Sequence, residues 1–228
     1  KLVRKIKKNI KIIGYDHSPP PPLPLNIFHD NLSPDLLLVT GNSQVKFYSK
    51  YLKWPMKKLK IVPTLRFVFE NKRKFSNKIY LPAEIVDENT ILHQFSNLIK
   101  KKEINNLNEI KIKNHPNRLN SNIHLRLILN LKKLLKEGAK KKSRKKPKPT
   151  AIFIGQTTAV ILALEMNVAA YHICSNPAFD SYSESLWPNL KVKQLSKHIF
   201  KYEIRKKNTF VNFAKKNKLF QKYYDQVD

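Results

Sequence analysis

The sequence predicts an α/β fold whose parallel sheets are divided between two parts of the chain. Three observations predict it. Short apolar runs alternate with helical patterns along most of the chain. Gly14, Gly41 and Gly155 each close an apolar run, where a chain leaving a strand must turn or let another group approach closely. A polar and basic stretch, Phe69 to Asn77, separates two such alternating series. Parallel strands covered by helices account for all three.

The elements follow in order. Lys11 to Tyr15 reads as a strand, and Ser18 to Pro24 (SPPPPLP) as an extended loop, because repeated proline excludes helix and central strand. Asp35 to Thr40 is a near-continuous apolar run and predicts a buried parallel strand. Asn42 and Ser43 can cap a helix over Gln44 to Leu52, and Leu59 to Val62 is a further short strand. Lys78 to Ile85 opens the second series. Asp87 to Lys102 is a helix with Ile91, Leu92, Phe95, Leu98 and Ile99 on one face, acidic at its start and basic at its end. Glu109 to Lys113 alternates as a strand does. Ser121 to Leu135 is a helix predicted to turn Leu125, Ile128, Leu129, Leu131, Leu134 and Leu135 inward and to end at Gly138.

Strand 151–154, helix 158–166 and strand 168–173 come next, then a loop over 176–189 and a short strand near 190–192. The basic, aromatic stretch Ser196 to Tyr224 is predicted to be helical. The resulting organisation is two Rossmann-like halves with parallel sheets, the N-terminal half incomplete. Residues 1–70 are expected to form the later part of the first half, residues 71–195 the second half and residues 196–228 a C-terminal helical tail. With no initiator Met, the chain is expected to lack an N-terminal portion.

At 228 residues the chain is long enough to bury a core, and its 41 % apolar and 10 % aromatic content excludes a disordered polymer. One cysteine, Cys174, excludes an internal disulfide framework and a cysteine zinc site. The net charge of +29 points to anionic partners. The excess is mostly lysine spread along the whole chain, in a sequence also rich in Ile and Asn. That pattern fits an A/T-rich genome as well as it fits phosphate binding. The densest run, Lys140 to Lys148, reads as a solvated loop or as a patch for anionic head groups. Ala151 to Cys174 has the length of a membrane span. It carries Gln156, Glu165, Asn167 and His172, so it is read as strand, helix and strand.

In an open α/β sheet the ligand lies at the carboxyl ends of the strands. The residues just after each strand are therefore the candidate site. In Ile154 to Glu165, Gly155 ends a strand, Gln156 follows, and Thr157 and Thr158 open a helix whose amides and hydroxyls suit a phosphate. The same threonines serve as well for simple capping. His115 follows a strand and precedes Pro116, which holds it extended, with its imidazole free to meet a phosphate or ribose oxygen. In Gly14 to Ser18 (GYDHS), Asp16 stands beside His17 and can orient it as a base, or simply cap a turn. Trp187 suits stacking on a base or sugar, or a place in the core. The remaining histidines show no metal-ligand spacing. The sequence has no G-x-G-x-x-G, no G-x-S-x-G and no D-x-D, so no metal is predicted at the site.

These segments resemble bacterial surface-carbohydrate glycosyltransferases of the GT-B type, the group related to polysialyltransferases and capsular Kdo transferases. The resemblance runs through GYDHS, Pro34–Gly41, Pro63–Phe67, the triplet Asn114–Pro116 and the stretch Phe153–Ile173. It implies a GT-B-like fold in which His115, Pro116, Gly155, Gln156, Thr157 and Thr158 bind a nucleotide-sugar donor, with a CMP-sugar favoured. His17, assisted by Asp16, would be the base on the acceptor side. It also implies an inverting, metal-independent transferase in capsule or lipopolysaccharide synthesis, with no cofactor beyond the donor. A polysaccharide or lipid-linked glycan would be the acceptor. The place would be cytoplasmic, with peripheral contact at the anionic inner face of the membrane. The missing N-terminal portion and the lysine run depart from the family pattern. Two other classes stay open: an inactive sugar-nucleotide- or polysaccharide-binding remnant, and a basic nucleic-acid-binding protein, although no nucleic-acid partner is expected.

Overall fold

The computed structural model describes residues 10–64, 75–104, 107–139 and 149–213. It is an α/β structure with two sheets, one of three strands and one of six, and five α-helices among the described residues. The first sheet contains β1 (Ile13–Tyr15), β2 (Leu36–Val39) and β3 (Leu59–Ile61), all parallel, with α1 (Asn42–Tyr51) crossing between β2 and β3. The second series opens with β4 (Lys78–Tyr80), α2 (Glu88–Lys100), β5 (Lys111–Lys113) and α3 (Asn122–Ala139). It continues through β6 (Thr150–Ile154), α4 (Ala159–Glu165), β7 (Ala169–Ile173) and α5 (Pro177–Asp180), and closes with β8 (Leu190–Ser196) and β9 (Ile199–Ile204). The strand order is β5-β4-β6-β7-β9-β8.

Alternation in the two central strands sorts the layers. Ile152 and Ile154 of β6, with Tyr171 and Ile173 of β7, face α2 and α3, where Ile91, Phe95, Leu98, Leu127 and Leu131 pack on them. Ala151, Phe153 and Ala170 face the other way, toward α4. That second core continues without a break into the first part of the chain, through Val39, Val45, Phe47, Tyr48 and Trp54. The three-stranded sheet and the larger one are thus welded by a shared interior. Phe47 of α1 stacks on Trp187 with ring centres 4.4 Å apart, and Trp187 Nε1 donates to Pro22 O at 2.9 Å. Tyr182 Oη donates to Pro20 O, also at 2.9 Å. The extended proline loop therefore offers two carbonyls, two residues apart, to aromatic donors from the far side of the molecule. Trp187 is a buried inter-sheet anchor.

α2 follows the sequence closely. Asp87 accepts from Thr90 N at 2.9 Å as the N-cap, and Ile91, Phe95 and Leu98 are buried. α3 departs in phase. Leu127, Leu131 and Leu135 are buried with His124, whereas Leu125 and Leu129 are 45 % and 66 % exposed. A leucine-rich helix offers two overlapping apolar stripes, and His124 selects one of them by reaching Pro82 O at 3.0 Å. Gly138 lies within the helix and does not end it. A Cβ there would sit 2.6 Å from Ile99 Cγ2, so glycine lets α2 and α3 approach.

The expected C-terminal helix is also corrected. Residues 199–204 form β9, antiparallel to β7 and to β8, so the sheet is mixed and not wholly parallel. The reason is a period of two: Phe200 and Tyr202 enter one core, Ile199 the other, and the charged residues between them point out. Residues 214–228 and the run 140–148 lie outside the described residues, as do residues 1–9 and 65–74. The stretch 151–174 folds as β6, α4 and β7. Among the described residues no helix is long and apolar enough to cross a membrane.

Candidate functional site

At the carboxyl edge of the large sheet, parallel register sets the geometry. Lys113, Tyr80 and Phe153 are level on β5, β4 and β6. His115 and Gly155, each two residues further on, therefore leave the same edge on either side of β4, about 10 Å apart at two strand spacings. Pro82 fills the space between them. It is buried, and a Cβ on Gly155 would meet its ring at 3.2 Å. Gly155 has φ +61, the left-handed turn that delivers the chain from β6 to α4.

His115 is held extended at φ −68, ψ 135, as the following proline requires. Its Nδ1 accepts from Asn117 N at 3.3 Å, which caps the short turn Pro116–Arg118 and puts the proton on Nε2. Nε2 has no hydrogen-bond partner among the described residues. Across Pro82, Thr157 Oγ1 accepts from Ala159 N at 3.2 Å. Thr157 therefore caps α4, while the Thr158 side chain makes no capping bond. Among the described residues the amides of Gln156, Thr157 and Thr158 donate no hydrogen bond. Three successive N–H groups that donate no bond among the described residues, following a left-handed glycine, are the kind of donors that can hold an anion.

Three histidines outside the expected set hold this edge in shape. His124 Nε2 lies 3.0 Å from Pro82 O, His172 Nε2 lies 2.6 Å from Gly155 O, and His198 Nδ1 lies 2.9 Å from Cys174 O. A carbonyl only accepts, so each of these nitrogens carries its proton. Each carbonyl belongs to a residue leaving β4, β6 or β7. Burial holds the His172 imidazole below its ordinary pKa, so it is neutral, with Nδ1 facing Tyr202 Oη at 3.3 Å. Cys174 is buried and its thiol is pushed up by burial, so it is no thiolate at neutral pH. Sequence spacing carried no sign of these roles, because each partner is a backbone carbonyl on a different element.

The small sheet treats its carboxyl edge differently. Asp16, just past β1, accepts from Tyr48 Oη at 2.5 Å and from Gln44 Nε2 at 2.9 Å. Gln44 Oε1 takes Thr40 N, Thr40 Oγ1 and Gly41 N at 2.8–3.0 Å. Burial pushes the Asp16 carboxyl up from its ordinary pKa, while the Tyr48 and Gln44 hydrogen bonds and the nearby His17 pull it down. The His17 side chain is exposed and makes no hydrogen bond among the described residues, to Asp16 included. Asp16 and His17 are thus within electrostatic reach but do not form a hydrogen-bonded pair. No hydrogen bond among the described residues joins His17 to His115 or Thr157. The link runs through the interior, from Pro20 to Tyr182, Tyr202, His172 and Gly155.

The segment 208–213 closes this edge. After β9 the chain returns to the small sheet, where Ser43 N donates to Thr209 O, Asn212 N to Thr40 O and Thr64 N to Asn212 O, each at 2.8 Å. Glu165, buried at the end of α4, accepts from the amides of Asn208, Thr209, Phe210 and Val211 at 2.6–3.3 Å. A Cβ on Gly41 would lie 2.4 Å from the backbone of Phe210, so only glycine admits this strap. The return crossing is made by an extended segment and not by a helix.

Comparison with family models, with curated proteins and with solved structures finds no match. The class defined by the fold is an α/β protein with parallel-containing sheets, and the site is read from its own chemistry.

Proposed function

We propose that the carboxyl edge of the six-stranded sheet binds the nucleotide of a nucleotide-sugar donor, and that the protein transfers the sugar to a polysaccharide or lipid-linked acceptor. The observation that carries this reading is the row of free amides at Gln156–Thr158, with the Thr158 hydroxyl, on the same edge as the His115 Nε2–H. The amides would take a phosphate and the imidazole a second phosphate or ribose oxygen, with Pro82 as the floor between them. Donors fixed in place before reaction stabilise a leaving phosphate without reorganisation. His17, exposed beyond β1, is the base of this proposal. Asp16 acts on it through its field rather than by contact. The reading is of an inverting, metal-independent reaction in a GT-B-like arrangement, with a CMP-sugar favoured.

A second reading, a binding protein without transfer, draws on one observation. Asp16 is engaged by Tyr48 and Gln44, and the strap covers the neighbouring strand end. Donor hydrolysis and transfer assays with CMP-, UDP- and GDP-sugars separate the two. Transfer that falls about 100-fold in H115A and in T158A supports the enzyme. Donor binding that depends on the same residues, without turnover, selects the binding protein. Binding and turnover unchanged in both variants would overturn both readings.

A further inference from the structure

We propose that the face made by α1 and the two loops beside it docks on an anionic lipid bilayer. This assignment is independent of the sugar-transfer reading, because none of its residues lies at the carboxyl edge of the large sheet.

The apolar part comes from two loop tips. Leu25, Phe28 and Leu32 on one loop are 66 %, 46 % and 56 % exposed, and Met56 on the turn after α1 is 66 % exposed. The tips are fastened together underneath. Trp54 Nε1 donates to Ile27 O at 2.6 Å, His29 N donates to Leu52 O at 2.9 Å, and the His29 ring meets the Trp54 ring at 4.8 Å. Phe28 and Met56 therefore flank a rigid, buried tryptophan and do not hang on free chain.

Lysines stand beside Phe28 and Met56. Lys53 Nζ stands 5.3 Å from the centre of the Phe28 ring. Lys46 and Lys50, one helical turn apart, share with Met56 the wall of a groove of about 420 Å³ floored by Phe47 and Trp187. Lys57 follows Met56, and all four lysines are exposed. Between Asp35 and Glu70 the sequence carries six lysines, one arginine and no acidic residue. The acidic group on the loop itself, Asp30, is exposed and is engaged within the loop, where it accepts from Leu32 N at 2.8 Å and Ser33 Oγ at 3.1 Å.

Exposed apolar tips flanked by lysines match a bilayer interface. The tips enter the acyl boundary, and the lysines, on long flexible stems, meet acidic head groups in the plane above. α3 also exposes leucines and lysines, but in succession along its axis: Leu125 and Leu129 first, then Lys132, Lys133 and Lys136. There the basic residues follow the apolar ones and do not flank them, and this face provides the control.

The test is sedimentation of the full chain with vesicles at about 0.1 M salt. One set is phosphatidylcholine alone, and the other contains about 30 % phosphatidylglycerol. The expected result is binding to the anionic vesicles only. It should weaken about 100-fold in K50E/K53E/K57E and about 10-fold in F28S/M56S. It should stay within about 3-fold in K132E/K133E/K136E, which changes net charge by the same amount. Amine-reactive labelling of the wild-type chain guards against a misfolded variant: anionic vesicles should shield Lys50, Lys53 and Lys57. Equal binding to neutral vesicles, no binding at all, equal loss in the α3 variant, or shielding centred on α3 would each overturn the proposal.

Discussion

The two sheets end in opposite ways. Past β2, the small sheet delivers Thr40 and Gly41 into a closed network, with Gln44, Asp16 and Tyr48 on one side and residues 209–212 on the other. Past β6, the large sheet delivers Gly155 into a turn whose next three amides are unpaired among the described residues. Both are strand-to-helix turns with a glycine. At Gly41 the glycine makes room for the protein's own backbone. At Gly155 it supplies a left-handed conformation, and the next three amides donate no bond among the described residues. Under the proposed function, the strand end spent on internal bonding serves stability and the one left with unpaired donors serves binding.

The comparison can be broken at several points. The largest effect should be at Glu165. In E165A, four backbone amides lose the acceptor that holds the strap, so chemical denaturation should show a loss of about 3 kcal/mol. Loss below about 0.5 kcal/mol would mean that the strap is not a structural closure.

At the carboxyl edge of the large sheet the pattern should invert. H115A and T158A are expected to leave stability within about 0.5 kcal/mol of wild type. The same changes should abolish most of the thermal stabilisation given by the tightest-binding of CMP, UDP and GDP. A large stability loss in either variant would move that residue into the structural class. On the closed side, Y48F removes one hydroxyl from Asp16 and should cost about 1 kcal/mol, read from the denaturation midpoint.

The smallest effect concerns pH. Burial holds His172 below its ordinary pKa, so as pH falls below about 6.5 the unfolded chain takes up this proton before the folded one does. The His172 contribution is thus complete above that pH and declines as pH falls toward the folded pKa. Asp16 and Glu165 are raised by burial, and their contribution has the opposite slope: present at acid pH and lost as pH rises through their folded values. In H172Q, which can still donate to Gly155 O, melting temperature should vary less between about pH 7 and 5.5 than in wild type. An unchanged slope would remove His172 from this account.

Local signals were legible in the sequence. Asp87 capping α2, proline holding His115 extended and glycine ending β6 each act within a few residues, and each stands where the pattern puts it. What escaped was set by distant partners. Glu165 meets amides 43 to 46 positions away, His124 meets Pro82 O 42 away and His172 meets Gly155 O 17 away. The phase of α3 went astray for the same reason, since a histidine with a remote carbonyl took the inward place that a leucine stripe had been given. β9 was missed because a basic, aromatic composition hid an alternation that only pairing with β7 and β8 makes decisive. At the candidate site the types and order of residues were readable. Which donors stay free was not, because that depends on what the rest of the chain covers.

The most direct test is an amide and imidazole NMR titration of the wild-type protein with CMP, repeated with UDP and GDP. The account predicts that the amides of Gln156, Thr157 and Thr158 and the His115 ring shift together for at least one nucleotide, while Thr40 to Gln44 stay still. Shifts centred on Thr40–Gln44, or none with any of the three, would contradict it.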